Sequence, residues 1–251
     1  MAKKVINKTA LITGGSGEIG SAICRKFAEN GYDVIITYNS NTAKAEKLLN
    51  SLPAGNHALF QTSNIDSKQI AKMRDAVQKK YGKLDVLVNN AGITTPVPHA
   101  DLEGLTDEWI DKIMQTNFRG SFAMVRALKE LLAKSTEKTA LIVNISSIAG
   151  IYGIGSNVAY CASKAALDSM TRSLARALAP KIRVISVSPG FVEGEYTKSF
   201  DPAFLKNQKE NTPLERFATG SDVADAVFAT AAHLTFSTGS IITVDGGRLL
   251  K

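Results

Sequence analysis

Short runs rich in β-branched residues alternate along this chain with longer stretches of helical spacing, and no other feature constrains its fold as strongly. The runs are TALIT (9–13), VIITY (34–38), HALFQT (57–62), LDVLVNNAG (84–92), TALIVNISS (139–147), IRVISVSPG (182–190) and SIITVDGG (240–247). Helical spacing is expected at 19–31, 42–52, 68–82, 107–117, 119–134, 157–179 and 221–232, with glycine stops after the first and third. Most of the short runs are apolar throughout rather than alternating. Such strands are buried on both faces, as in a parallel sheet covered by helices on each side. The expected architecture is α/β, a doubly wound sheet of seven parallel strands. The 251 residues show no repeat, low-complexity tract or linker, so one domain over 1–251 is expected.

Composition excludes several classes. With 44% hydrophobic and 21% charged residues, the chain is neither disordered nor fibrous. Two cysteines are too few for a disulfide framework, which makes a reducing cytoplasm the expected location. The three histidines are scattered, so no metal site is expected. The first apolar run, Ala10 to Ile12, is too short for a signal-peptide core, and nothing approaches the ~20 apolar residues of a membrane span. Thirty basic against 23 acidic residues give a net charge of +7, which favours anionic partners. The basic residues are spread rather than clustered, so nucleic acid is not the expected partner.

Between the first strand and first helix lies Thr13-Gly14-Gly15-Ser16-Gly17-Glu18-Ile19-Gly20. Glycines in a strand–turn–helix setting let backbone N–H groups approach a pyrophosphate at the helix N-terminus, so the fold expected is Rossmann-type. The alternative is a tight turn without a ligand. The carboxylate that grips an adenosine ribose belongs at the end of the second strand, which here reads Thr37-Tyr38-Asn39-Ser40, while Asp33 stands at the strand's other end. Asn39, Ser40, Asn41 and Thr42 suit a 2′-phosphate instead, with Lys44 the nearest cation. This favours NADP(H) and leaves NAD(H) open. Glu18, at the helix start, would oppose a phosphate if it faced one.

Tyr160 and Lys164 are four residues apart in YCASK and share a helix face. A phenol is a poor proton donor or acceptor near neutrality, and an adjacent ammonium favours its ionised form. The alternative is a half-buried helix pair. Ser147 closes the fifth strand, at the carboxyl edge where open α/β sheets bind ligands, and Asn89-Asn90-Ala91-Gly92 shares that edge.

Taken together, the glycine turn, NNAG at 89–92, Asn117 in TNFRG, Ser147 in NISSIAG, YxxxK at 160–164, Pro189-Gly190 and TGSIITVDGG at 238–247 resemble the compact, single-domain branch of the short-chain dehydrogenase/reductases over nearly the whole chain. The resemblance implies that Tyr160 is the general acid in reduction and Ser147 positions the carbonyl. It implies that Lys164 binds the nicotinamide ribose and favours the Tyr160 phenolate, and that Asn117 holds a water in a proton relay. It places the cofactor along Gly14, Ser16, Gly17, Glu18, Ile19 and Gly20, with the nicotinamide over Gly20. Asn64 and Ile65 would lie near the adenine, with a strand-end cap as the alternative for Asn64. Asn90, Ala91 and Gly92 would line the site, and Pro189, Gly190 and Val192 would meet the carboxamide.

The chain departs from the branch pattern in three places, one of them the absence of the basic residue that often precedes the middle glycine in NADP-users. Glu18 stands where the branch has glycine, the glycine appearing one place earlier as Gly17. Gly194 stands where a threonine is expected to bond the carboxamide, a role Thr197 would have to assume.

Within the family, LVNNAGIT, NISSIAG and the VDGG tail are most similar to 3-oxoacyl-[acyl-carrier-protein] reductases. That implies NADPH-dependent reduction of a β-ketoacyl thioester in fatty acid biosynthesis, an acidic acyl-carrier protein as partner, and a homotetramer built through 107–134, 157–179 and the C-terminal segment. Another ketone, polyol or sugar is the alternative substrate. Enoyl-thioester reductases resemble a wider Tyr–Lys spacing. Lys129, Lys134, Lys138 and Lys181 are the expected docking cations, with a solvated helix face as the alternative. The loop 191–217, with Phe191, Tyr196, Phe200 and Phe204, is expected to be the substrate lid. Ile148, Ile151, Tyr152 and Ile154 are expected to line the pocket.

Overall fold

A computed structural model describes residues 7–195 and 197–250. The seven strands are β1 (Thr9–Ile12), β2 (Asp33–Tyr38), β3 (Ala58–Gln61), β4 (Val86–Asn89), β5 (Ala140–Ile145), β6 (Ile182–Pro189) and β7 (Ile241–Val244). They form one sheet in the order β3-β2-β1-β4-β5-β6-β7, and every pairing is parallel. Strand order reverses between β1 and β4. That switch point opens a crevice at the carboxyl edge of the sheet.

Residues on alternate sides of each strand feed two apolar layers. Ala10, Ile12, Val34, Ile36, Val86 and Val88 pack on one face with Ile23 and Phe27 of α1 (Glu18–Glu29) and Val223 and Val227 of α9 (Gly220–Ala232). Leu11, Ile35, Leu87 and Ile142 pack on the other with Met73 of α3 (Ser67–Tyr81) and Leu128 of α5 (Gly120–Leu132). This explains why the strands read as continuous apolar runs. Each such Leu or Ile contributes about 1.5–3 kcal/mol on burial.

The helices end where local chemistry ends them. Asp66 caps α3 by accepting from Lys68 N and Gln69 N, and Gly82 closes it at φ 73°. Asn41 caps α2 (Thr42–Ser51) through Lys44 N. The stretch expected as two helices over 107–134 is α4 (Asp107–Met114) joined to α5 by a five-residue π turn, Gln115–Arg119. Two α-helices were not expected. A short α6 (Ala149–Tyr152) follows β5 and precedes α7 (Val158–Leu178). Within 191–217, expected to be loop, α8 spans Pro202–Glu210. Its signal was legible: Asp201 caps Ala203 N and Phe204 N, and proline takes the first helical position.

Phe191, Phe200, Phe204 and Phe217 cluster around α8, with Phe191 and Phe217 at 5.3 Å and Phe200 and Phe204 stacked at 5.4 Å. Tyr196, expected among them, lies outside the described residues. Among the described residues no helix is long and apolar enough to cross a membrane. Nor does any group of three or more His, Cys, Asp or Glu gather as metal ligands among them.

Candidate active site

The glycine turn and the NNAG segment are stitched together. The Thr13 hydroxyl accepts from Asn90 N (2.9 Å) and Ala91 N (3.0 Å), while Asn90 Nδ2 donates to Thr13 O (2.9 Å) and Gly14 O (3.1 Å). Gly14 takes φ +59°, and a Cβ there would lie 3.1 Å from Ala91 Cα. Gly20 is buried: a Cβ would meet Gly14 O at 2.5 Å and Asn90 Nδ2 at 2.8 Å, so this glycine brings α1 onto the turn. The accessible rim is half-exposed Ser16, exposed Gly17 and Glu18, and half-exposed Ile19. Gly17 is the N-cap of α1 and supplies no side-chain cap, which leaves the first-turn N–H groups for an anion. Glycines that let the turn and α1 pack this closely, beside an uncapped helix start, fit the pyrophosphate of a dinucleotide.

At the end of β2, Asn39 and Ser40 are exposed and no carboxylate accompanies them. Asp33 is buried at the strand's opposite end, where it accepts from Asn7 Nδ2 (3.2 Å) and Asn56 N (2.9 Å). The Asn41 carboxamide oxygen is committed to capping α2. Asn64 is not a cap of β3. Its Nδ2 donates to Thr116 O at 2.9 Å, bracing the π turn, and its side chain fills the space a Cβ on Gly120 would need. Ile65 is exposed beside it and its carbonyl accepts from Arg119 (3.1 Å).

The π turn, β5 and α7 bring the remaining residues together. Asn157 caps α7, accepting from Tyr160 N at 2.7 Å, while its Nδ2 donates to Thr95 O at 2.7 Å. An Asn three residues before Tyr160 is a helix-start signal that the sequence carried. Lys164 is buried, its Nζ 5.6 Å from the centroid of the Tyr160 ring and donating to Ile145 O at 2.8 Å. Burial pushes the Lys164 ammonium down to about 8, and Asp168 opposes that fall. A Cβ on exposed Gly92 would lie 3.6 Å from Lys164 Nζ, so NNAG closes over the lysine. Ser147 is half-buried just beyond β5, and its Oγ accepts from Ala149 N at 3.1 Å at the entry to α6.

Asn117 sits in the π turn with its side chain fully engaged. Oδ1 accepts from Ile93 N (2.8 Å), and Nδ2 donates to Ile93 O (3.0 Å) and Ser163 Oγ (3.0 Å). The hydroxyl of Ser163 in turn donates to Tyr160 O at 2.8 Å. The main-chain carbonyl of Asn117 accepts from Ser121 Oγ at 2.8 Å.

Beyond β6, Gly190 N donates to Val244 O (3.0 Å), and Val192 pairs with Ala218 in an isolated bridge. Pro189 is buried and its carbonyl accepts from Ile148 N at 3.1 Å. Two of the departures in the sequence meet in space: a Cβ on Gly194 would lie 2.9 Å from Glu18 Cγ. Glu18 thus leans against Gly194, with Lys198 in electrostatic reach. Thr197 does not assume the expected role, because its buried hydroxyl donates to Gly194 O at 2.9 Å and accepts from Gly194 N.

The four lysines expected to dock a carrier lie elsewhere. Lys138 precedes β5 and Lys181 precedes β6, at the amino edge of a parallel sheet whose site is at the carboxyl edge. Lys129 and Lys134 fall at the end of α5 on that same edge, where Ala133 and Lys134 lead back toward β5. They cannot flank the site of their own chain. Around the site, Ile151, Tyr152, Ile154 and Val158 are exposed and form an apolar mouth, with Ile148 half-buried behind them. His99, not singled out in the sequence, joins the rim, with Nε2 3.1 Å from Gly155 O and 4.0 Å from Cys161 Sγ.

Known proteins share this layout. A family model described as enoyl-(acyl carrier protein) reductase matches residues 15–248. A Streptomyces violaceoruber protein assigned as ketoacyl reductase 2 of the granaticin polyketide synthase is 35% identical over 241 residues, covering 95% of this chain and 94% of its own. The 3-oxoacyl-[acyl-carrier-protein] reductase FabG of Staphylococcus epidermidis (strain RP62A) is 32% identical over 246 residues, covering 96% and 99%. A crystal structure from Brucella melitensis, described as short-chain dehydrogenase/reductase SDR:Glucose/ribitol dehydrogenase, superposes with a TM-score of 0.89 at 28% identity over 99% of both chains. With its glycine turn, its Ser147–Tyr160–Lys164 edge and these relatives over nearly its full length, the chain belongs to the short-chain dehydrogenase/reductase family of NAD(P)-dependent oxidoreductases.

Proposed function

We propose that this protein is an NADPH-dependent reductase of 3-oxoacyl thioesters. The observation that carries the reading is the buried Lys164 ammonium set 5.6 Å from the Tyr160 ring, beside Ser147 and below an apolar mouth. The glycine turn and the NNAG segment would hold the dinucleotide, with Asn39, Ser40 and Lys44 around a ribose 2′-phosphate and Lys164 at the nicotinamide ribose. When bound, the cofactor supplies a hydride to the carbonyl carbon. Tyr160 gives its proton to the carbonyl oxygen, and the Ser147 hydroxyl orients that oxygen. Lys164 steadies the negative charge left on the phenol. The segment 191–217, anchored by its phenylalanine cluster, closes over the acyl chain.

Ketoacyl reductases among the relatives support the thioester, whether on coenzyme A or an acyl-carrier protein. A polyol or sugar alcohol is the second reading, favoured by the name of the Brucella structure. The enoyl reduction in the family model's description fits less well, because Tyr160 and Lys164 are four residues apart on one helix face. The proposed assembly is a homotetramer, and light scattering that shows a monomer at micromolar concentration contradicts it.

The test is titration with NADPH and NADH, followed by NADPH oxidation with acetoacetyl-CoA. Tighter binding of NADPH together with turnover is the expected result. Cofactor binding with no turnover on any 3-oxoacyl thioester, but turnover on a polyol, would overturn it.

A further inference from the structure

One turn beyond Lys164 on the same face of α7, Asp168 is sealed from solvent, with 2% of its surface exposed. Its Oδ1 accepts from Ser186 Oγ of β6 at 2.6 Å. Its Oδ2 is buried without a hydrogen-bond partner among the described residues. Ser146 bridges the two positions from the end of β5, its hydroxyl donating to Lys164 O at 3.1 Å and lying beside the Asp168 carboxylate. Burial pushes the Asp168 carboxyl up, and Ser186, Ser146, Arg172 and Lys164 oppose that rise, whereas apolar residues of equal volume would pack there with no charge to sustain. Its position points to an electrostatic task.

We propose that Asp168 is a positioning residue of the reaction, the counter-charge behind the site that keeps the Lys164 ammonium charged where it faces Tyr160. This rests on the reading of Tyr160 and Lys164 given above.

Few charges surround this carboxylate. On α7 they are Lys164 and exposed Arg172. From β5, Asn144, Ile145 and Ser146 carry no charge. The one charged residue of β6, Arg183, stands at the other end of its strand and donates to Thr230 O, Leu234 O and Ser237 O. Lys164 is therefore the charged group that shares its closed interior with Asp168. Burial holds the lysine near 8 even with the carboxylate present, close enough to neutrality that losing one opposing charge leaves much of it uncharged. Its carbonyl partner, Ile145 O, accepts from either protonation state and cannot replace a charge.

The test reads Tyr160 itself, without cofactor or turnover. Tyrosinate ultraviolet absorbance is followed against pH, and the titration of Tyr160→Phe is subtracted to isolate Tyr160. The same difference is taken in Asp168→Asn and Asp168→Ser backgrounds, with thermal unfolding in parallel. Removing Asp168 should raise the pH of the Tyr160 step by about one unit. The acid limb of alcohol oxidation should move up with it, since that direction needs the phenolate. A merely structural Asp168 would lower the unfolding temperature and leave the Tyr160 step in place, which overturns the proposal. A wild-type Tyr160 step no lower than that of a free phenol would instead overturn the Tyr160–Lys164 reading. Asparagine keeps an acceptor for Ser186, and serine leaves room for water, so if one variant does not fold the other still carries the test.

Discussion

Lys164 Nζ lies 5.6 Å from the centre of the Tyr160 ring and is anchored to Ile145 O at 2.8 Å, so the end of β5 fixes the cation under the phenol. Both residues come from one helix face. Strand, helix and the capping Asn157 together set the distance on which the chemistry depends.

The charge on Lys164 gives a pH dependence. Its folded value of about 8 is below the ordinary 10.5, so the ammonium is intact below that pH and is lost as pH rises through it. With a neutral lysine, Tyr160 loses the charge that steadies its conjugate base. Ketone reduction measured as kcat/KM should therefore decline as pH climbs past about 8. A profile flat up to the range of a free lysine, about 10, would argue against this role.

Glu18 places a carboxylate at the start of α1, where the helix favours negative ligands. Replacing it with glycine removes that competitor for the pyrophosphate. Glu18→Gly should tighten NADPH binding several-fold, with the gain shrinking at high salt. Fluorescence titration at two salt concentrations measures it, and weaker binding in the variant would show that Glu18 supports the cofactor through Gly194.

Arg248 pins α8 from the C-terminal segment. Its guanidinium donates to Gln208 O at 2.9 Å, bonds the Gln208 side chain, and lies 5.3 Å from the Phe191 ring. Arg248→Ala should loosen the segment 202–212, raising KM several-fold while leaving kcat within about twofold, because the chemistry is elsewhere. Limited proteolysis should cut that segment faster. Unchanged KM and unchanged cleavage would show that the phenylalanine cluster alone holds it.

Much of this was legible because it rests on local rules. Continuous apolar runs announced a two-sided parallel sheet, and all seven strands lie where those runs do. Glycine placement announced the turn, and Ser147, Tyr160 and Lys164 stood at spacings that only one edge of such a sheet brings together. What escaped depends on which distant residues meet. The contact of Glu18 with Gly194 joins positions far apart in sequence, and Thr197 turned inward on the same loop. The lysines failed for a topological reason. Lys138 and Lys181 precede their strands, and in a parallel sheet the start of a strand is the edge opposite the site. The five-residue π turn left no mark in apolar spacing, since it keeps Asn117 buried within an otherwise helical pattern. Helix α8 was missed although its Asp-Pro start was in plain view.

Tyr160→Phe asks whether Tyr160 carries the proton at the reacting oxygen. The variant keeps the ring and loses the hydroxyl. Its turnover with NADPH and a 3-oxoacyl thioester should fall by at least about a hundredfold, with the NADPH dissociation constant within about twofold of the parent. Near-full turnover in a correctly folded Tyr160→Phe protein would show that another group carries the proton.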